Sequence, residues 1–121
     1  MAEENLRNVF LQLQAQNRAA YKGVQSCKAQ LAGKEREKRI NTLTLQEITA
    51  LPRTGVTFYK GVGRMFMQES RNNVENTLKA SDKEVGEEIK TLQGKVTYYE
   101  GEMQQAQRSL RDILQEQAGK S

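Results

Sequence analysis

The side chains that carry chemistry in most proteins are nearly absent from this one. With no histidine, the chain lacks both the commonest metal ligand and the one side chain that ordinarily titrates near neutrality. Its one cysteine, Cys27, can build neither an internal disulfide nor a zinc cluster. Cys27 falls where an apolar helix seam wants a small side chain, so it reads as packing and not as a nucleophile. Two glycine segments imitate phosphate-binding motifs and fail. Gly119-Lys120-Ser121 looks like the end of a phosphate-binding loop, but the required earlier glycine is Leu114, and no helix follows the last residue. Gly61-Val62-Gly63 lacks the third glycine of a dinucleotide fingerprint, Phe66 standing in its place, and reads as a hairpin turn. No cofactor, metal or catalytic residue is expected, because no nucleophile and base are visible as a pair.

What remains is surface chemistry, charged or apolar. The run Lys34-Glu35-Arg36-Glu37-Lys38-Arg39 interleaves two glutamates with its cations, which dilutes the field a nucleic acid would feel, so a solvated helix face is expected. The apolar signal is sharper. Val9, Leu11 and Leu114 exceed what a helix seam needs. With Leu6, Phe10, Leu13, Leu110 and Ile113 they would gather where an antiparallel helix pair ends. Such a cluster is either a binding surface or the closed end of a coiled coil, and both readings stay open at this point.

The elements that would position these residues follow from composition and period. A mean hydropathy of -0.80 with 6% aromatics suits disorder, yet 13 glutamines, abundant Lys, Arg and Glu, and a single proline are what long helices are made of. Residues spaced alternately four and three apart run Leu6, Phe10, Leu13, Asn17, Ala20, Val24, Cys27, Leu31, predicting a helix over about 3–40 that Asn41 and Thr42 end. A second seam, Val85, Ile89, Leu92, Val96, Tyr99, Met103, Ala106, Leu110, Ile113, extends back to Leu78 past a polar exception, Asp82, and predicts a helix over about 71–117. At 1.5 Å per residue that helix is roughly 70 Å long, against roughly 27 Å across for a compact chain of this length, so an elongated molecule is expected. Antiparallel pairing of the seams sets Ala20 by Tyr99, Val24 by Val96, Lys34 by Val85 and Lys38 by Asp82.

Between the helices, Thr44-Leu45-Gln46-Glu47 resembles a capping box for a short helical turn over 44–50, stopped at Leu51-Pro52. A β hairpin over about 56–68 follows, with strands near 56–60 and 63–68. Val56, Phe58, Tyr59, Gly61, Val62, Gly63, Met65, Phe66 and Met67 make it apolar. A lone hairpin is marginal in water, so it is expected to pair its edges with other subunits. The net charge is +4, with 10 basic and 5 acidic residues in positions 1–60. No leader and no apolar run of about 20 residues is present, which predicts a soluble intracellular chain with no membrane partner.

The segment Tyr59-Lys60-Gly61-Val62-Gly63-Arg64-Met65-Phe66, flanked by Leu51 and by Gln68-Glu69-Ser70, closely resembles the centre of β-class prefoldin subunits. Layout extends the likeness over nearly the whole chain: two long helices with one hairpin between them. The resemblance implies a mainly α fold of one domain, a coiled-coil hairpin of helices with a single β hairpin inserted. It implies a subunit of a heterohexamer with two α-class and three further β-class partners, its hairpins joined in a β-barrel body. It further implies ATP-independent capture of unfolded actin and tubulin at coiled-coil tips and delivery to the cytosolic chaperonin, in the cytoplasm with the nucleus as a second compartment. The tip would comprise Leu6, Val9, Phe10, Leu11, Leu13, Leu110, Ile113 and Leu114. A structural coiled-coil adaptor without holding activity is the alternative, and a nucleic-acid accessory protein a more distant one.

Overall fold

The structure, a computed structural model, describes residues 2–119. Helix α1 spans Ala2–Ala50, strand β1 Phe58–Val62, strand β2 Met65–Glu69 and helix α2 Arg71–Gly119. Two long helices with one antiparallel hairpin between them is the expected fold class. Lys120 and Ser121 of the phosphate-loop imitation lie outside the described residues.

Helix α1 is longer than expected, because the polar residues chosen as its end do not end it. Thr42, Thr44 and Thr49 donate their hydroxyls to the carbonyls of Lys38, Ile40 and Leu45 at 3.0, 2.7 and 2.7 Å, so each is satisfied inside the helix. Asn41 donates its amide across to Ser81 Oγ at 3.2 Å. The separate turn expected at 44–50 is therefore the last part of α1, and Thr44 is no cap. The helix stops at Ala50 because Leu51 precedes Pro52, leaving a final Leu51 N–H to Ile48 carbonyl bond of 3.2 Å. Helix α2 begins on a cap: Ser70 Oγ accepts the Asn73 N–H at 3.2 Å.

Contacts divide the chain into two compact units, one made of α1 up to Leu31 with α2 from Thr91, the other of Ala32–Lys90. In the first unit the buried residues are Ala20, Val24, Cys27, Leu92 and Ala106, all on the expected seams. Gln16 Nε2 donates to Glu102 Oε2 at 2.9 Å and Lys28 pairs with Glu100 at 3.7 Å, so the helices run antiparallel. In the second unit Val85 is buried, and Lys34 meets Glu88 at 2.6 Å. Among the described residues no large side chain is fully buried.

Three side-chain contacts are displaced by about a turn from the expected pairs, in the same direction. The Tyr99 ring lies against Gly23, about one turn on from Ala20, and Lys34 meets Glu88, about one turn on from Val85. Lys38 does not reach Asp82: its ammonium ends 3.4 Å from where a Cβ on Gly86 would sit. Helical side chains lean toward their own N-terminus, so in an antiparallel pair each tip lands one turn beyond the residue opposite its Cα. Asp82 is thereby left with Oδ1 buried and unpartnered, as is Asn17 Oδ1 in the other unit.

Candidate functional site

The first candidate surface is the hairpin. Its strands lie about two residues later than the sequence suggested, pairing Phe58 with Glu69, Lys60 with Met67, Gly61 with Phe66 and Val62 with Met65. The reason is the turn. Within the hairpin only Gly63 has positive φ, +62°, at the first position of a two-residue Gly63-Arg64 connection, the pattern of a type II′ turn. Gly61, expected in the turn, is instead a strand residue. The Phe66 ring lies 3.7 Å from the position of a Cβ on it, so the aromatic covers the gap a glycine leaves in a sheet.

This register puts Val62, Met65 and Met67 on one face and Tyr59 and Phe66 on the other. All five are exposed, Met65 at 73% and Phe66 at 76%. Val56 and Phe58, which precede them, are half-buried. The sheet has two strands and therefore two open edges. Burying five such side chains is worth about 1.5–3 kcal/mol each, comparable in sum with the roughly 4–15 kcal/mol that association costs in lost freedom. The hairpin alone therefore supports a complex of useful stability only where several edges and faces are covered together.

The second candidate surface lies in the other unit, where α1 begins and α2 finishes. A hollow of about 320 Å³ there is lined by Leu6, Phe10, Ile113 and Leu114, with Glu3, Arg7 and Gln117 also lining it. Of the eight apolar residues singled out in sequence these four come together. Leu13 and Leu110 are half-buried on the seam, while Val9 and Leu11 are exposed at 45% and 51% without lining the hollow. Its volume is at the low end of pockets that hold small ligands, enough for an apolar side chain or two.

The other residues weighed in sequence take structural places. Cys27 is buried in the seam. Within the basic run Lys34 is held by Glu88 and Glu37, and the hydrogen bond to Glu88 keeps its ammonium above the usual lysine range. Arg36, Lys38 and Arg39 are exposed. Among the described residues no group of His, Cys, Asp and Glu is arranged to hold a metal ion, and no helix is long and apolar enough to cross a membrane. Sequence reasoning missed Arg71, whose guanidinium reaches the carbonyls of Ile48 and Pro52 at 2.8 and 2.9 Å. Nothing local signals that role, since its partners lie about 20 residues away in sequence.

Comparison with known proteins agrees with this architecture. Residues 11–117 match the sequence profile of the family described as prefoldin subunit. Prefoldin subunit 1 of Danio rerio is 32% identical over 109 residues, covering 90% of this chain and 88% of the relative. Prefoldin subunit 1 of Arabidopsis thaliana is 29% identical over 119 residues, covering 98% and 92%. The crystal structure of the prefoldin beta subunit from Thermococcus strain KS-1 superposes with a TM-score of 0.53 at 20% identity, covering 88% of this chain and 87% of that one.

Proposed function

The chain belongs to the prefoldin family, a family of non-enzymatic chaperones, and from that premise we propose that it works as a β-class subunit of a heterohexamer with two α-class and three further β-class partners. Assembly runs through the hairpin, and capture of unfolded chains runs through the end of the helix pair. Actin and tubulin are the proposed substrates, handed on to the cytosolic chaperonin without ATP, in the cytoplasm with the nucleus as a second compartment. The observation that carries the reading is the hairpin, which presents apolar residues on both faces and two unpaired edges.

The capture mechanism follows from magnitudes. One apolar side chain entering the hollow gains about 1.5–3 kcal/mol, too little to offset the cost of association. Several such ends around one cavity make later contacts intramolecular, and linked contacts of this kind raise overall affinity by roughly 10²–10⁴. Capture is then weak at each end, multivalent and tolerant of substrate sequence. Phe10→Ser with Leu114→Ser tests it. In the assembled complex the double variant should keep its mass and lose most of its suppression of aggregation of denatured actin. Loss of assembly instead would reassign these residues to structure.

A further inference from the structure

We infer that Arg71 is the positioning residue that sets the β hairpin against the helices and so presents it for assembly. The inference rests on the reading of the hairpin as the assembly surface. It starts from a local anomaly. Arg71 is the first residue of α2, where the helix macrodipole disfavours a cation, and the first turn of α2 contains no acidic residue to offset it. Helix α1 has the complementary deficit: its last turn contains no basic residue, and its final carbonyls lack regular i+4 partners, Ile48's accepting the Leu51 N–H three residues on instead. One guanidinium resolves both. Arg71 Nη2 donates to the carbonyls of Ile48 and Leu51 at 2.8 and 3.1 Å with a longer approach to Thr49 at 3.5 Å, and Nη1 donates to Pro52 at 2.9 Å.

The remaining donor and the face of the group extend the clamp in two further directions. Nε donates to Glu75 Oε1 at 3.1 Å, one turn into α2, and this carboxylate fixes the plane of the fork. The guanidinium carbon lies 5.9 Å from the centroid of Phe58, the first residue of β1 and one of the few half-buried residues of the hairpin. A single side chain thus ties the end of α1, the linker after it, the start of β1 and the start of α2. Strand β2 runs into α2 through one residue, Ser70, whereas β1 follows α1 only after the longer segment 51–57, and Arg71 adds a non-covalent anchor at that strand. A lysine keeps the charge but not the fork and cannot reach these acceptors together.

The test uses the full chain with Arg71→Lys and Arg71→Gln, measured for helix content, hydrogen exchange at Phe58–Val62 and affinity for α-class prefoldin partners. Both variants should keep most of their helix, exchange hairpin amides at least tenfold faster and lose at least tenfold in partner affinity, with Phe58→Leu adding little on top of Arg71→Gln. Unchanged exchange and affinity in both variants would overturn the inference, as would full rescue by lysine. Phe66→Ser serves as the control for the underlying reading. If it leaves assembly intact, the hairpin is not the assembly surface, whereas the exchange data still decide whether Arg71 positions it. A variant that loses its helices altogether would make Arg71 a folding residue and also overturn the inference.

Discussion

Adding one methyl group at different helix glycines should have opposite effects, and the structure says at which. Gly94 and Gly101 lie inside α2 with nothing within 4 Å of an added Cβ. Alanine there gains about 1 kcal/mol each from helix propensity, and with no shared partners the pair should add to about 2 kcal/mol. At Gly23 the same methyl would stand 2.9 Å from two carbons of the Tyr99 ring, well inside ordinary contact, and the ring is half-buried in the seam. Overpacking of this kind costs about 1–3 kcal/mol, so the gain of about 1 is cancelled or exceeded. Urea denaturation followed by helix ellipticity measures all three. Gly94→Ala with Gly101→Ala should raise the midpoint, and Gly23→Ala should leave it unchanged or lower it. A Gly23→Ala midpoint as high as that of Gly94→Ala would refute the close seating of Tyr99. The stiffer double variant should also hold varied denatured substrates less well, because looser helices let an apolar end adapt to different chains.

Other consequences are as direct. Asp82→Leu should stabilise the chain by about 1–3 kcal/mol in urea, since it replaces a buried carboxylate oxygen that has no partner with an apolar group. Cysteines introduced at Val24 and Val96 in a Cys27→Ser background should form a disulfide on mild oxidation, and absence of the bond by mass spectrometry would reject the register. Dilute peroxide should convert Met65 and Met67 to sulfoxide before the half-buried Met103, with the hairpin methionines protected once partners are bound. Glu88→Gln should change the urea midpoint only slightly, by less than about 1 kcal/mol in stability, because Lys34 and Glu88 are only half-buried and their pair is screened by water.

The parts of the fold that sequence makes legible are those fixed by period. Every described seam position from Leu6 to Leu31 and from Val85 to Ile113 is buried or half-buried, because a four-three repeat leaves the chain one face on which to pair. The end of α1 was misplaced because Asn41 and Thr42 look like terminators only when their hydrogen bonds are unknown. In place, their donors go to Ser81 and Lys38. The hairpin was found but set two residues early, since three nearby residues, Gly61, Val62 and Gly63, offered two glycines and local pattern does not say which one takes positive φ. For the site, apolar surplus at Leu114 points to the hollow, whereas Val9 and Leu11 stay exposed outside it, because sequence gives proximity to an end and not which side chains share a cavity. Arg71 was invisible because its role depends on carbonyls that only the fold brings to it.

Light scattering of this chain alone, and then mixed with α-class and the other β-class prefoldin subunits, is the decisive measurement. The proposed assembly through the open hairpin predicts that the mixture gives a heteromeric mass near six subunits and that Phe66→Ser prevents it. A stable homodimer with the same mass in the presence and absence of those partners would contradict assembly through the hairpin and favour a coiled-coil adaptor.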